Sequence, residues 1–220
     1  MRTVIFDLDG TLADTSGDLL AAANACFRQM GEDDLLVPEQ DAAVALRGGR
    51  MMLREGLTRL GRPDETVVAT YYPIFLEIYG EAIDTHTTLY DGAMDAVEEL
   101  KSRGLGVGIC TNKPEKLADQ LLRALGVRDD FAALVGADTL SVRKPDPEPL
   151  WETVRRCGGD PARTVLIGDS DTDRNTARAA GVPSVLVTFG PAGDDMAALQ
   201  PEALLHRYAD LPDLVDQLTG

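Results

Sequence analysis

The chain of 220 residues carries 21 Lys+Arg against 37 Asp+Glu, a formal net charge of -16 at pH 7. Such a balance leaves no surplus of cations to neutralise a phosphate backbone, so no nucleic-acid partner is expected. With 44% hydrophobic and 26% charged residues the chain can bury a core, and its length suits one large domain or a domain with a smaller companion.

Nothing ahead of the apolar run at Thr3 reads as a signal peptide, and no segment approaches the ~20 apolar residues that cross a bilayer. No membrane association is expected. Cys26, Cys110 and Cys157 are odd in number and widely spaced, which fits a reducing cytoplasm.

Thr3–Leu8 is β-branched and aromatic and runs into Asp-Leu-Asp-Gly, which predicts a short buried strand ending in a glycine turn. From Asp14 to His86 the text changes character. Asp18–Met30, Gln40–Leu46, Met51–Leu60 and Asp64–Tyr79 carry helical spacing with glycine and proline between them, and no strand pattern intervenes. A structureless connection of that length is foreign to compact domains, so the stretch reads as an inserted helical subdomain.

Beyond it, helix and strand patterns alternate. Ala93–Arg103, Glu115–Leu125, Pro147–Cys157 and Thr172–Ala180 read as helices; Leu105–Cys110, Ala132–Val135, Thr164–Ile167 and Ser184–Val187 read as strands. This rhythm predicts an α/β fold, a Rossmann-like parallel sheet core with an inserted α-helical cap domain. The expected division is 1–14 with 87–220 for the core and 15–86 for the cap. No helical stripe announces a dimer seam, so the oligomeric state stays open.

In such sheets ligands bind beyond the carboxyl ends of the strands. Read there, the sequence supplies Asp7 and Asp9, then Thr111 and Asn112, then Lys144, then Asp169, Asp171 and Asp173. So many converging carboxylates repel one another and call for a cation. A donor set made of oxygens suits a hard divalent ion such as magnesium. His86 and His206 are isolated, which argues against zinc.

Asp7 and Asp9 alternate along an extended chain and can face one site; alone, the pair reads equally as solvent-facing capping groups. Thr111 offers a hydroxyl just ahead of a helix start, suited to an anion or to a plain helix cap. Lys144 is flanked by Pro145, Pro147 and Pro149, so its backbone direction is constrained. Asp171 and Asp173 can each serve the site or the helix N-terminus, and for Asp171 the helix role is preferred.

Asp7-Leu-Asp-Gly-Thr11-Leu, Thr111-Asn, Lys144-Pro and Gly168-Asp-Ser-x-x-Asp173 resemble, in order, the four motifs of the haloacid dehalogenase superfamily. The resemblance spans nearly the whole chain. It implies that Asp7 is a nucleophile, that Asp9 is a general acid/base, and that Thr111, Asn112 and Lys144 bind the phosphate of a small phosphorylated metabolite. It further implies Mg2+ held by Asp7, the backbone carbonyl of Asp9, Asp169 and Asp173. The dehalogenases themselves lack the second acid, so the presence of Asp9 points to phosphoryl transfer.

Asp14-Thr-Ser-Gly-Asp18-Leu-Leu-Ala-Ala-Ala-Asn24 and Leu89-Tyr-Asp-Gly92 are similar to the phosphoglycolate phosphatase subgroup. In the insert, Arg47-Gly-Gly-Arg50 is a candidate grip for a substrate carboxylate, or a turn with surface arginines. The implied activity is magnesium-dependent hydrolysis of a small phosphomonoester. A sugar phosphomutase, a pyrophosphatase and a phospho-accepting signalling domain are the competing readings.

Overall fold

The computed structural model describes residues 1–191 and 193–220. The first half of the chain contains β1 (Thr3–Phe6), β2 (Ala13–Asp14), α1 (Ser16–Gln29), α2 (Pro38–Ala45), α3 (Gly49–Arg59), α4 (Glu65–Glu81), β3 (Thr88–Leu89), α5 (Ala93–Ser102) and β4 (Gly106–Cys110). There follow α6 (Glu115–Ala124), β5 (Ala133–Val135), α7 (Glu148–Arg156), β6 (Thr164–Gly168), α8 (Asp171–Ala180), β7 (Ser184–Val187), β8 (Ala203–Leu205) and α9 (Leu211–Thr219). They form two compact units, one of Met1–Ala13 with Leu89–Gly220 and one of Asp14–Thr88. Among the described residues no helix is long and apolar enough to cross a membrane.

The larger unit holds a parallel sheet in the order β5-β4-β1-β6-β7-β8. β1 lies at its centre, paired with β4 on one side and β6 on the other, which is why Thr3, Val4, Ile5 and Phe6 are all fully buried. The one polar side chain among them is satisfied, Thr3 Oγ1 lying 2.6 Å from Thr164 Oγ1. Gly108 of β4 admits α7, because a Cβ there would stand 2.7 Å from Cys157 Sγ and 2.9 Å from Thr153 Cγ2.

β1 is shorter than the expected Thr3–Leu8. The Leu8 carbonyl turns away to accept the N–H groups of Thr11, Leu12 and Ala13, at 3.3, 3.0 and 3.2 Å, and Gly10 takes φ 78°. The local turn therefore captures the backbone before the ladder can extend. β8 and α9 lie beyond the last element expected from the sequence.

The smaller unit is helical. Two of its buried polar side chains are tied largely to backbone: Asp18 accepts from His86 N (2.9 Å), Thr87 N (2.9 Å) and Thr87 Oγ1 (2.7 Å), and Asn24 Nδ2 donates to the Leu36 carbonyl at 2.8 Å. Where α1 and α3 pack, Gly56 presses on the fully buried Phe27 ring.

A Gly56→Ala exchange in an unconstrained helix would stabilise by roughly 1 kcal/mol. Here the new Cβ would fall 2.1 Å from Phe27 Cζ. The expected outcome is destabilisation by about 1–3 kcal/mol, seen as a lower urea midpoint with an unchanged slope. A raised midpoint would show that the two helices do not approach so closely.

Candidate active site

The order of the sheet decides which side chains can meet. β1, β4 and β6 are neighbours, so the residues just past their carboxyl ends converge: Asp7 after β1, Thr111 after β4 and Asp169 after β6. Asp7 is held in line by its own N–H, which donates to the Ile167 carbonyl at 2.9 Å.

Carboxylate oxygens of Asp7, Asp169 and Asp173 all lie within 4.8 Å of one another. Asp173 reaches this cluster because Gly168 has no side chain, a Cβ there falling 2.4 Å from both Cβ and Cγ of Asp173. Ser170 then fixes it. Its hydroxyl donates to Asp173 Oδ2 at 2.5 Å, while the Asp169 N–H donates to the same oxygen at 3.3 Å. Asp171, by contrast, is exposed as the first residue of α8, where an acid complements the helix dipole.

Lys144 enters between the acids. Its Nζ lies 2.6 Å from Asp173 Oδ1 and 3.1 Å from Asp7 Oδ1, and its side chain is only 1% exposed. Burial works against that ammonium, but the Asp173 and Asp7 carboxylates outweigh it and raise its pKa. One ammonium does not balance three carboxylates. Burial, countered by Lys144 and reinforced by Asp173 and Asp9, raises Asp7 to about 6. Burial together with Asp173 and Asp7 holds Asp169 well above the usual carboxylate range. This oxygen-only donor set with surplus negative charge fits a hard divalent cation.

The remaining candidates take distinct places. Thr111 is buried, its Oγ1 accepting from Lys113 N at 3.1 Å. Asn112 is exposed and its Nδ2 donates 3.0 Å to the Lys144 carbonyl, which ties the lysine loop to the end of β4. The Asp9 side chain is not among the three clustered acids; its Oδ1 accepts from Lys113 Nζ at 2.7 Å. Arg47 and Arg50 belong to the helical unit, both exposed, with the Arg50 guanidinium 4.1 Å from the centre of the Tyr72 ring.

Two polar residues passed over in the sequence stand beside these. Lys113 is one, and its signal was available: it follows Thr111 by two, the same alternation that links Asp7 and Asp9. Tyr208 is the other. Its hydroxyl donates 2.6 Å to the Thr11 carbonyl, and Thr11 Oγ1 donates 3.1 Å to Asp169 Oδ1. No pattern near Tyr208 announces that contact across the unit.

A family model described as haloacid dehalogenase-like hydrolase matches residues 1–181, and the chain belongs to that family of hydrolases. Proteins named phosphoglycolate phosphatase are similar over nearly their whole length. That of Mesorhizobium japonicum is 36% identical, covering 93% of this chain and 90% of its own; that of Rhodospirillum rubrum is 37% identical, covering 96% and 90%. The crystal structure of a predicted phosphoglycolate phosphatase from Haemophilus somnus has the same fold, with TM-score 0.84, 23% identity and 97% of each chain covered.

Acid linkage tests the cluster directly. In metal-free protein the folded state binds a proton at Asp7 that the unfolded chain gives up between pH 3.8 and about 6, so stability falls as pH rises through that window. Urea unfolding in chelator from pH 4 to 7 should show wild type losing stability relative to Asp7→Asn across the window, then levelling off. A constant difference would mean that Asp7 is not buried among uncompensated acids.

Proposed function

We propose that this hydrolase is a magnesium-dependent phosphatase of small phosphomonoesters, working through an aspartyl-phosphate on Asp7, with 2-phosphoglycolate as its leading substrate. The observation that carries the reading is the cluster of the half-buried Asp7 and Asp169 with the buried Asp173, divided by Lys144 at adjacent strand ends. The substrate follows from the names of the relatives.

Asp7 Oδ1 is held by the Leu8 N–H at 2.7 Å and by Lys144, and we assign Oδ2 as the attacking oxygen. As the Oδ2–phosphorus bond forms, the ester P–O bond breaks and Asp9 gives its proton to the departing alkoxide. Asp9 then takes a proton from water as that water attacks phosphorus and the bond to Asp7 breaks, releasing inorganic phosphate. Thr111 and Lys144 hold the non-bridging oxygens, and Asn112 serves the same subsite by fixing the Lys144 backbone.

Asp7, Asp169 and Asp173, with the backbone carbonyl of Asp9, would hold the magnesium. When bound, it supplies positive charge against the charge that builds on the phosphoryl oxygens. Asp173 thus serves both metal and lysine. The helical unit takes the part of the family's cap, with Arg47 and Arg50 as its candidate grip on a carboxylate; stacking on Tyr72 pre-orients Arg50 for bidentate pairing.

A phosphate-release screen across phosphorylated metabolites tests the reading. Wild type with Mg2+ is expected to release phosphate from 2-phosphoglycolate, to lose that activity in excess chelator, and to fall at least about 10³-fold as Asp7→Asn. Full activity in chelator, or an active Asp7→Asn, would refute the mechanism. Isomer formation from a sugar phosphate without net phosphate release would make the chain a mutase.

A further inference from the structure

Two lysines stand at these strand ends, and the mechanism above uses one. Lys113 is only 6% exposed, and a buried ammonium is retained only where it is paired. Its partner is Asp9, with Nζ 2.7 Å from Oδ1 and the Asp9 side chain 17% exposed. Lys144 is committed elsewhere, to Asp7 and Asp173. The two cations therefore divide the two acids that the reaction distinguishes.

The backbone of Lys113 is held at both of its polar groups. Its N–H donates to Thr111 Oγ1 at 3.1 Å, and its carbonyl accepts from Ala137 N at 3.0 Å. With its backbone held and its side chain almost wholly buried, Lys113 has little room to leave the carboxyl it touches.

We propose that Lys113 is a positioning residue for Asp9, holding Oδ1 so that Oδ2 carries the proton exchanged with the leaving group and later with water. This rests on Asp9 being the acid/base of the proposed phosphatase. In the first step the proton passes from Asp9 Oδ2 to the ester oxygen as the P–O bond breaks, and Lys113 stabilises the carboxylate left behind. Lys113 is assigned no contact with the phosphoryl group. Its effect on the rate passes through Asp9, and that gives it a signature.

An alkoxide leaves badly without a proton, whereas p-nitrophenolate is stable unprotonated near neutral pH. Acid assistance thus matters for an alkyl phosphate and little for p-nitrophenyl phosphate. The readout is kcat/KM, which ends at phosphoryl transfer and excludes the later hydrolysis of the phosphoenzyme.

Lys113→Met is expected to lower kcat/KM for 2-phosphoglycolate by about 10²-fold and for p-nitrophenyl phosphate by at most a tenth of that factor. Asp9→Asn should show the same selective loss, and the double variant should lose little beyond Asp9→Asn alone. Lys113→Arg keeps a cation opposite Asp9 and should recover at least a tenth of the wild-type value. Equal losses on the two esters would mean that Lys113 contacts the phosphoryl group or supports the fold, and would overturn the proposal. So would wild-type behaviour of Lys113→Met, or losses that multiply in the double variant. Wild-type protein that releases phosphate from neither ester would overturn the phosphatase reading and this proposal together.

Discussion

The arrangement depends on a single buried ammonium. Lys144 stands between Asp7 and Asp173 where almost no water reaches, and without it three carboxylates would face one another uncompensated. Much of the surrounding architecture keeps it there. Asn112 grips its carbonyl from the end of β4, Ser170 and the Asp169 N–H hold the far oxygen of Asp173, and Gly168 leaves the space in which Asp173 sits. Removing the lysine alone would leave a buried charge unpaired, which makes this contact costly to break whatever its net contribution to stability.

The sheet supplies the other constraint. Because β4 and β6 flank β1, residues more than 100 positions apart in sequence arrive at one edge, and short ladder bonds such as Asp7 N to Ile167 O set their spacing. The acids then fall into two environments. Asp7, Asp169 and Asp173 share Lys144 and a shortage of positive charge, while Asp9 has its own lysine on the β4 side. Separate environments are how two carboxyl groups in one site come to play different parts.

The strands were legible where they are central. Thr164–Ile167 is a β-branched and aliphatic run that must be buried on both faces, and it was read within one residue of β6. Ala203–Leu205 was not, because three residues of Ala-Leu-Leu at a sheet edge carry no strand pattern of their own, and β8 exists through its pairing with β7. The clustered acids were legible from strand ends. The preference for Asp173 over Asp171 was legible in the motif and the helix start, but not the space that lets Asp173 reach the cluster, which is the missing Cβ of Gly168. Lys113 carried a signal in its spacing from Thr111, but its pairing with Asp9 carried none, and Tyr208 was hidden altogether: each contact joins distant segments, and sequence spacing describes near ones.

The charge of -16 describes the whole chain and says little about the site. Asp7, Asp169 and Asp173 belong to that total, and a bound magnesium with Lys144 would offset the negative charge that a phosphate would otherwise meet there. The central claim is that Asp7 becomes covalently phosphorylated. Acid quench during turnover of 2-phosphoglycolate with Mg2+, then borohydride reduction and peptide mass spectrometry, reads this directly, since an acyl phosphate is reduced to homoserine. The account predicts homoserine at position 7. Homoserine at position 9, or none anywhere while phosphate is released at the full rate, would contradict it.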